Sequence, residues 1–253
     1  MSSPRKTLSL ISWGLGALLL SASAVAAEVT IDEILRKQDD LMRGASSKGK
    51  VTMNVKTARW DRSMTMEMWS EGTEKSLIKI LSPAKEKGTA TLKVDDNIWN
   101  YLPKVDRTIK VPASMMSGSW MGSHFTNDDL VKESRYSDDF KCKFLKRPAD
   151  NPQKLYEIEC VPNADAAVVW GKIVIGARED LLPTKVDYFD EKGKLVRTMA
   201  FSEITDMGGR KIPKKMTLTV TDKPEEYTEV VYEELAFDIK VPARTFTLQA
   251  LKR

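Results

Sequence analysis

The sequence predicts a mainly β protein with a few helices, its strands laid down as an antiparallel meander, and three observations lead there. From Val51 onward apolar side chains alternate with polar ones in run after run. The runs are short and are separated by tight-turn signals: Glu71-Gly72, Ser82-Pro83, Asp95-Asp96-Asn97, Pro103-Lys104, Glu191-Lys192-Gly193 and Gly208-Gly209. Only one stretch ahead of Val51 carries the spacing of a helix. Many strands at short intervals, joined by tight turns, favour neighbours that pair in sequence order.

Taken in chain order, the first element is a leader. Arg5 and Lys6 precede an apolar core from Leu8 to Leu20, and small residues run from Ser21 to Ala27. Val25 and Ala27 suit a signal peptidase, so residues 1–27 are expected to be a signal peptide cleaved before Glu28. The stretch approaches membrane-spanning length, but its serines, glycines and Ala-rich end favour cleavage over a retained anchor. No cysteine stands near the cleavage point, so a lipid anchor is not expected. Residues 28–253 are then read as one domain, because no Pro/Gly/Ser linker and no internal repeat divides them.

Ile31 to Met42 places Ile31, Ile34, Leu35, Leu41 and Met42 on one helical face, with Thr30 as N-cap, Glu33 three residues on and Gly44 as the stop. Strands follow: Val51, Met53 and Val55; then Trp60, Met64, Met66 and Met68 on one face of the next run; then Ile78 and Ile80; then Ala90, Leu92 and Val94. Ile98–Leu102, Val105–Val111, Phe140–Lys146, Leu155–Val161, Ile173–Ala177, Thr184–Phe189, Leu195–Ile204, Met216–Val220 and Glu226–Glu234 continue the pattern. Val111 to Asp129 breaks it, with no stable period but three Met, a Trp and a Phe. An apolar irregular stretch of that length is either functional or packed as a plug.

Composition narrows the function classes. Forty basic and thirty-six acidic residues, net +4, are interspersed rather than blocked. A nucleic-acid surface needs a concentrated basic face, so no nucleic-acid partner is expected. Cys142 and Cys160 fall on consecutive strands about the Asn151-Pro152 turn, which sets them opposite one another. In an oxidising periplasm they form a cross-strand disulfide; otherwise they are two buried thiols.

Chemistry is scarce. His124 is the single histidine and has no nucleophile motif around it. One His and two Cys build no ordinary metal centre, and no Gly-rich phosphate loop follows a strand. Asp95-Asp96, Asp128-Asp129 and Asp138-Asp139 read as turn and cap residues rather than catalytic carboxylates. A binding protein without cofactor or metal is expected, not an enzyme. Twelve Met and six Trp supply soft apolar surface instead, suited to variable acyl chains.

Several segments carry a resemblance: Lys79–Ala90 (KILSPAKEKGTA), Trp99–Arg107 (WNYLPKVDR), Trp120–Phe125 (WMGSHF) with Asn127-Asp128-Asp129-Leu130, and the ending Phe246–Leu251. With these the chain resembles the LolA-like outer-membrane lipoprotein-sorting proteins, in particular the branch typified by an uncharacterised treponemal protein. His124 stands where that pattern usually has Asp. The resemblance implies a strongly curved antiparallel sheet, an incomplete barrel plugged by helices as in LolA and LolB. It also implies a periplasmic carrier of lipid or lipoprotein acyl chains moving toward the outer membrane, with an inner-membrane exporter and an outer-membrane acceptor as partners. The other reading on the same fold is an accessory or sensor module serving such an exporter or an envelope-stress system. The expected acyl lining runs from Trp60, Met64, Met66 and Met68 through Ile78, Ile80 and Leu92 to Trp99 and Tyr101, and ends on Met115, Met116 and Trp120. Arg62 and Arg107 are the candidates for an arginine that latches the cavity.

Overall fold

In the computed structural model of the chain, residues 28–131, 136–166 and 168–252 are described. The expected signal peptide, residues 1–27, lies outside them. Helix α1 (Ile31–Leu41) starts as its sequence dictates: Thr30 Oγ1 accepts the Glu33 N–H at 3.2 Å, and Glu33 Oε2 accepts the Thr30 N–H at 2.8 Å. It stops at Gly44, whose φ of +60° suits glycine and whose missing Cβ leaves room for Asp238 Oδ1, 2.6 Å from where that atom would sit.

Six strands follow: β1 (Ser46–Lys56), β2 (Asp61–Glu71), β3 (Lys75–Ser82), β4 (Ala90–Val94), β5 (Asn97–Leu102) and β6 (Arg107–Lys110). Seven more come after the irregular stretch: β7 (Phe140–Lys146), β8 (Leu155–Pro162), β9 (Lys172–Arg178), β10 (Pro183–Phe189), β11 (Leu195–Met207), β12 (Arg210–Val220) and β13 (Lys223–Phe237). All thirteen join one antiparallel sheet in the order β6-β5-β4-β3-β2-β1-β13-β12-β11-β10-β9-β8-β7. Each half is a plain meander, and the halves are zipped together by the first strand on the last, Met53 opposite Val230. β6 and β7 are left as the two edges of an open sheet. Register shifts at Lys50/Val51, Thr65/Met66 and Thr219/Val220 are bulges, which add bend and twist where the sheet curves.

Two elements differ from the sequence pattern. The strand expected over Val105–Val111 shrinks to β6, because Pro103 opens a 3-10 turn, Pro103–Val105, and Asp106 takes a φ of +45° to bring Arg107 opposite Leu102. β12 starts at Arg210 rather than Met216. Its first residues, RKIPKK, hide the alternation, but Gly208 and Gly209 at φ +57° and +78° make a two-residue turn that sets Arg210 directly against Met207.

Three apolar clusters hold the fold. One lies over β1, β2, β12 and β13 and contains Met53 and Met64, both 0% exposed, together with Leu41 of α1. A second packs Ile34 and Leu35 of α1 on Ile158, Ile173, Ile175 and Val186. The third lies on the opposite face of β3–β5, where Leu77, Leu92 and Tyr101 are covered by Phe246 and Leu251 of the C-terminal 3-10 turns. Among the described residues no helix is long and apolar enough to cross a membrane.

Cys142 and Cys160 stand directly opposite on β7 and β8 and form a disulfide, with Cα atoms 4.1 Å apart. The bond closes a loop with a sequence separation of 18. Replacing both cysteines by Ala is expected to lower the unfolding free energy by about 3 kcal/mol, the loop-closure value for that length. Urea unfolding of the variant beside the oxidised protein measures it, and equal midpoints at equal slopes refute it.

Candidate functional site

The inward face of the curved sheet is built from the alternation of its strands. Across it, Met64, Met53, Val230, Met216 and Phe201 form one cross-strand row, and Ile80, Met66, Val51 and Tyr232 form another. Such a face is far too apolar to stand in water. What covers it is the link between the two edges. The chain from Val111 crosses from β6 to β7 through 3-10 turns at Ala113–Met115 and Trp120–Gly122, then helices α2 (Asn127–Val131) and α3 (Tyr136–Asp139). Trp120 and Phe125 are buried in the same cluster as Met53 and Met64, with Met121 and Leu130 packed beside them. The irregular stretch is therefore a plug in the hollow of the sheet.

The plug is knitted by its own backbone and tied to the sheet by polar contacts. Trp120 N–H donates to Phe125 O at 2.8 Å, Asn127 N–H to Gly118 O at 3.0 Å, and Asp128 N–H to Met116 O at 2.8 Å. Trp120 Nε1 donates to Thr91 Oγ1 at 3.1 Å, and Thr91 Oγ1 donates on to Asn100 Oδ1 at 2.7 Å. Three further ties fix the two ends and the middle. Arg62 of β2 donates to the Met121 carbonyl, pairs with Glu86 at 3.0 Å and stacks on Trp60 at 5.1 Å. Met121 and Gly122 both have positive φ, 50° and 70°, which turns that carbonyl outward. A Cβ on Gly122 would lie 3.2 Å from Arg62 Nη2. In the middle, Thr228 Oγ1 accepts the His124 N–H at 2.9 Å and lies 2.8 Å from Nδ1, while Nε2 faces Glu226 Oε2 at 3.2 Å. This set of partners selects the tautomer with its proton on Nε2, which donates to Glu226.

The third tie is the strongest. Arg197 of β11 makes a bidentate pair with Asp129 of α2, at 2.9 Å and 2.6 Å, and only 7% of its side chain is exposed. Its guanidinium lies 4.5 Å from the rings of both Trp170 and Tyr188. Burial by itself would raise the Asp129 carboxyl, but the Arg197 bonds and the Thr126 contacts outweigh it and hold Asp129 below its ordinary range. Nearby, Tyr136 and Tyr188 share a hydroxyl contact at 3.1 Å. Asp39 of α1 sits against Ser137 of α3, and burial pushes its carboxyl up to about 6 despite Arg43 and the Ser137 and Tyr136 backbone. Beyond the plug, Lys37, Asp40, Asp180, Arg210 and Lys211 rim a cleft of about 410 Å³ floored by Leu41 and Leu182. Both leucines belong to the cluster that the plug covers.

The structure gathers half of the expected lining and disperses the rest. Met64, Met66, Met68, Ile78, Ile80 and Trp120 share the plugged face. Leu92, Trp99 and Tyr101 point the other way, under the C-terminal turns. β4 is buried on both faces, so alternation alone does not say which stripe looks inward. Trp60 precedes β2, is 41% exposed and lies against Arg62, and Met115 is 58% exposed at the rim with Met116 half-buried beside it. Of the two latch candidates, Arg62 holds the plug and Arg107 is exposed on β6. Asp129 is a half-buried ion-pair partner as well as a cap. Arg197 was missed, although the sequence marks it: it interrupts the apolar stripe Leu195, Met199 and Phe201.

Removing one partner of the Arg197–Asp129 pair strands the other in a buried site. Arg197→Met is expected to cost about 3 kcal/mol in urea unfolding and to loosen α2, seen as faster hydrogen exchange at Phe125–Leu130; unchanged exchange there would refute the latch. Asp39 gives the opposite sign. Its raised carboxyl penalises the folded state above about pH 6, and the penalty disappears below the ordinary value of 3.8. Asp39→Asn should therefore stabilise the protein by about 2 kcal/mol at about pH 8 and by nothing at about pH 3, and a pH-independent difference would exclude this origin.

Comparison with known proteins places this architecture. A family model described as an uncharacterized protein matches residues 72–253, well over half of the chain. No curated protein matches it. Among solved structures, a domain named for outer-membrane lipoprotein sorting, from Vibrio parahaemolyticus, is 24% identical with a TM-score of 0.74, over 88% of this chain and 98% of its own. A DUF1329 family protein from Desulfovibrio piger is 21% identical with a TM-score of 0.76, over 87% and 97%. A LolA superfamily protein from Nitrosomonas europaea is 20% identical with a TM-score of 0.72, over 88% and 100%. The chain belongs to the uncharacterized-protein family that this model describes, and it has the fold of these three structures.

Proposed function

We propose that the protein is a periplasmic carrier that binds acyl chains of lipid or lipoprotein and delivers them toward the outer membrane. One observation carries the reading: the apolar hollow of the sheet is closed by a crossing segment held by separable polar ties, not by a continuous core element. An acyl chain gains about 0.8 kcal/mol per buried methylene, so a chain of ordinary length can replace Trp120 and Phe125 over the methionines. Among the described residues the buried Nε atoms of Arg62 and Arg197 have no hydrogen-bond partner. The charged cleft floored by Leu41 and Leu182 offers a way into the same cluster, with cations at its rim for an anionic head. Export agrees with the apolar leader in the sequence and with the Cys142–Cys160 bond, which persists in an oxidising compartment. The work done is binding and release, without a cofactor.

Native mass spectrometry with lipid extraction, on protein isolated from periplasm without detergent, tests it. The expected result is acyl lipid bound one to one, with Arg62→Gln taking up a fluorescent fatty acid several-fold more tightly because the plug opens more readily. An empty protein that takes up no fatty acid, with Arg62→Gln equally inert, overturns the carrier and leaves the partner-binding module in its place.

A further inference from the structure

The corner of the sheet at its β6 edge combines exposed cations with exposed aliphatic side chains. Every residue from Lys104 to Lys110 is exposed. Within and beside that run stand five cations: Lys104, Arg107 and Lys110, with Lys85 and Lys87 on the neighbouring loop. The loop and the run are in contact, since a Cβ on Gly88 would lie 3.5 Å from the Pro103 ring. Two acids fall in the same corner, and both are already engaged. Glu86 pairs with Arg62 at 3.0 Å, and Asp106 pairs with Lys252 at 2.8 Å and accepts the Tyr101 hydroxyl at 3.1 Å. Lys110 lies 5.8 Å from the Trp99 ring, and among the described residues Lys85, Lys87, Lys104 and Arg107 have no ion-pair partner. Between these cations protrude Val105, 61% exposed, Ile109, 47%, and Leu102, 39%.

We infer that this corner is a docking surface for an anionic lipid bilayer. Unpaired cations around protruding aliphatic side chains match a negatively charged headgroup layer above an apolar interior, each cation contributing about fivefold to partitioning. The alternative occupant, an acidic protein, is disfavoured by the shape. Leu102 ends β5, Val105 stands on a turn and Ile109 on a four-residue edge strand, and so short an edge offers little ladder for strand addition. The surface also adjoins the entry to the plug, because β6 runs directly into Ala113–Met115. Docking there brings the start of the plug to the membrane. The inference goes beyond the carrier reading and does not depend on cargo, since Leu102, Val105 and Ile109 are not part of the cluster that the plug covers.

Sedimentation with vesicles tests it, using the chain from Glu28 onward so that the apolar leader cannot bind lipid itself. Binding is expected to vesicles of phosphatidylethanolamine with phosphatidylglycerol, and to fall both with salt and with pure phosphatidylcholine. Lys104→Glu/Arg107→Glu/Lys110→Glu should lose more than tenfold in partitioning, while Lys192→Glu, in the β10–β11 turn, keeps it. Val105→Ser/Ile109→Ser, which leaves every charge in place, should also weaken binding and serves if the triple variant does not fold. Absence of binding to the anionic vesicles, or equal binding by the wild type and by whichever of these two variants folds, overturns the inference; in the first case the corner is left to an acidic protein partner. Fatty-acid uptake without vesicle binding would sink this surface and leave the carrier reading standing.

Discussion

An open antiparallel sheet that curves must hide the face it curves around, and in this protein that requirement governs everything else. Thirteen strands in meander order leave β6 and β7 as separate edges, so the sheet does not seal its own interior. The link from β6 to β7 has to travel from one edge to the other, and the apolar hollow lies between them. Trp120 and Phe125 fall where the hollow needs filling, and the segment is irregular because it follows the contour of a face rather than the period of a helix.

The packing of that segment differs in kind from the packing of α1. Helix α1 is closed by a reciprocal cap, and its Ile34 and Leu35 are locked among β-branched side chains of β8–β10. The crossing segment meets methionines, which are flexible and adaptable neighbours. Its position is defined by point contacts: Arg62 on a carbonyl, His124 on Thr228, Asp129 on Arg197. Apolar contact supplies area without register, whereas charged and hydrogen-bonded groups fix one arrangement and lose it abruptly when a partner leaves. A cover held this way suits the proposed exchange of an acyl chain, which needs a seated and an unseated condition. The Asp39–Ser137 contact, between α1 and α3, lies where the fixed and the displaceable parts meet.

Much of the fold was legible in the sequence, element by element. The capping box at Thr30 and Glu33, the hairpin that opposes Cys142 to Cys160, and the turns at Gly72, Asp95 and Gly208-Gly209 depend on local chemistry. The site was legible only in part. Of the expected lining, Met64, Met66, Ile80 and Trp120 share one cluster, while Leu92 and Tyr101, with Trp99 beside them, belong to another on the opposite face. On a strand buried on both sides, two apolar stripes obey the same alternation, and the residues that separate them, Phe246 and Leu251, lie some 150 residues further along.

The sequence alone determined where most of the turns fall, that the strands pair with their neighbours, that the cysteines oppose, and which stretch has no period of its own, because each of these follows from interactions within a few residues. The tertiary structure alone decided that β1 closes on β13, which face of each strand looks inward, and that Arg197 rather than Arg107 joins Arg62 in holding the plug. These depend on residues far apart in the chain meeting across a curved sheet. Which pairs meet is set by the global requirement to bury the hollow, and no local pattern encodes it.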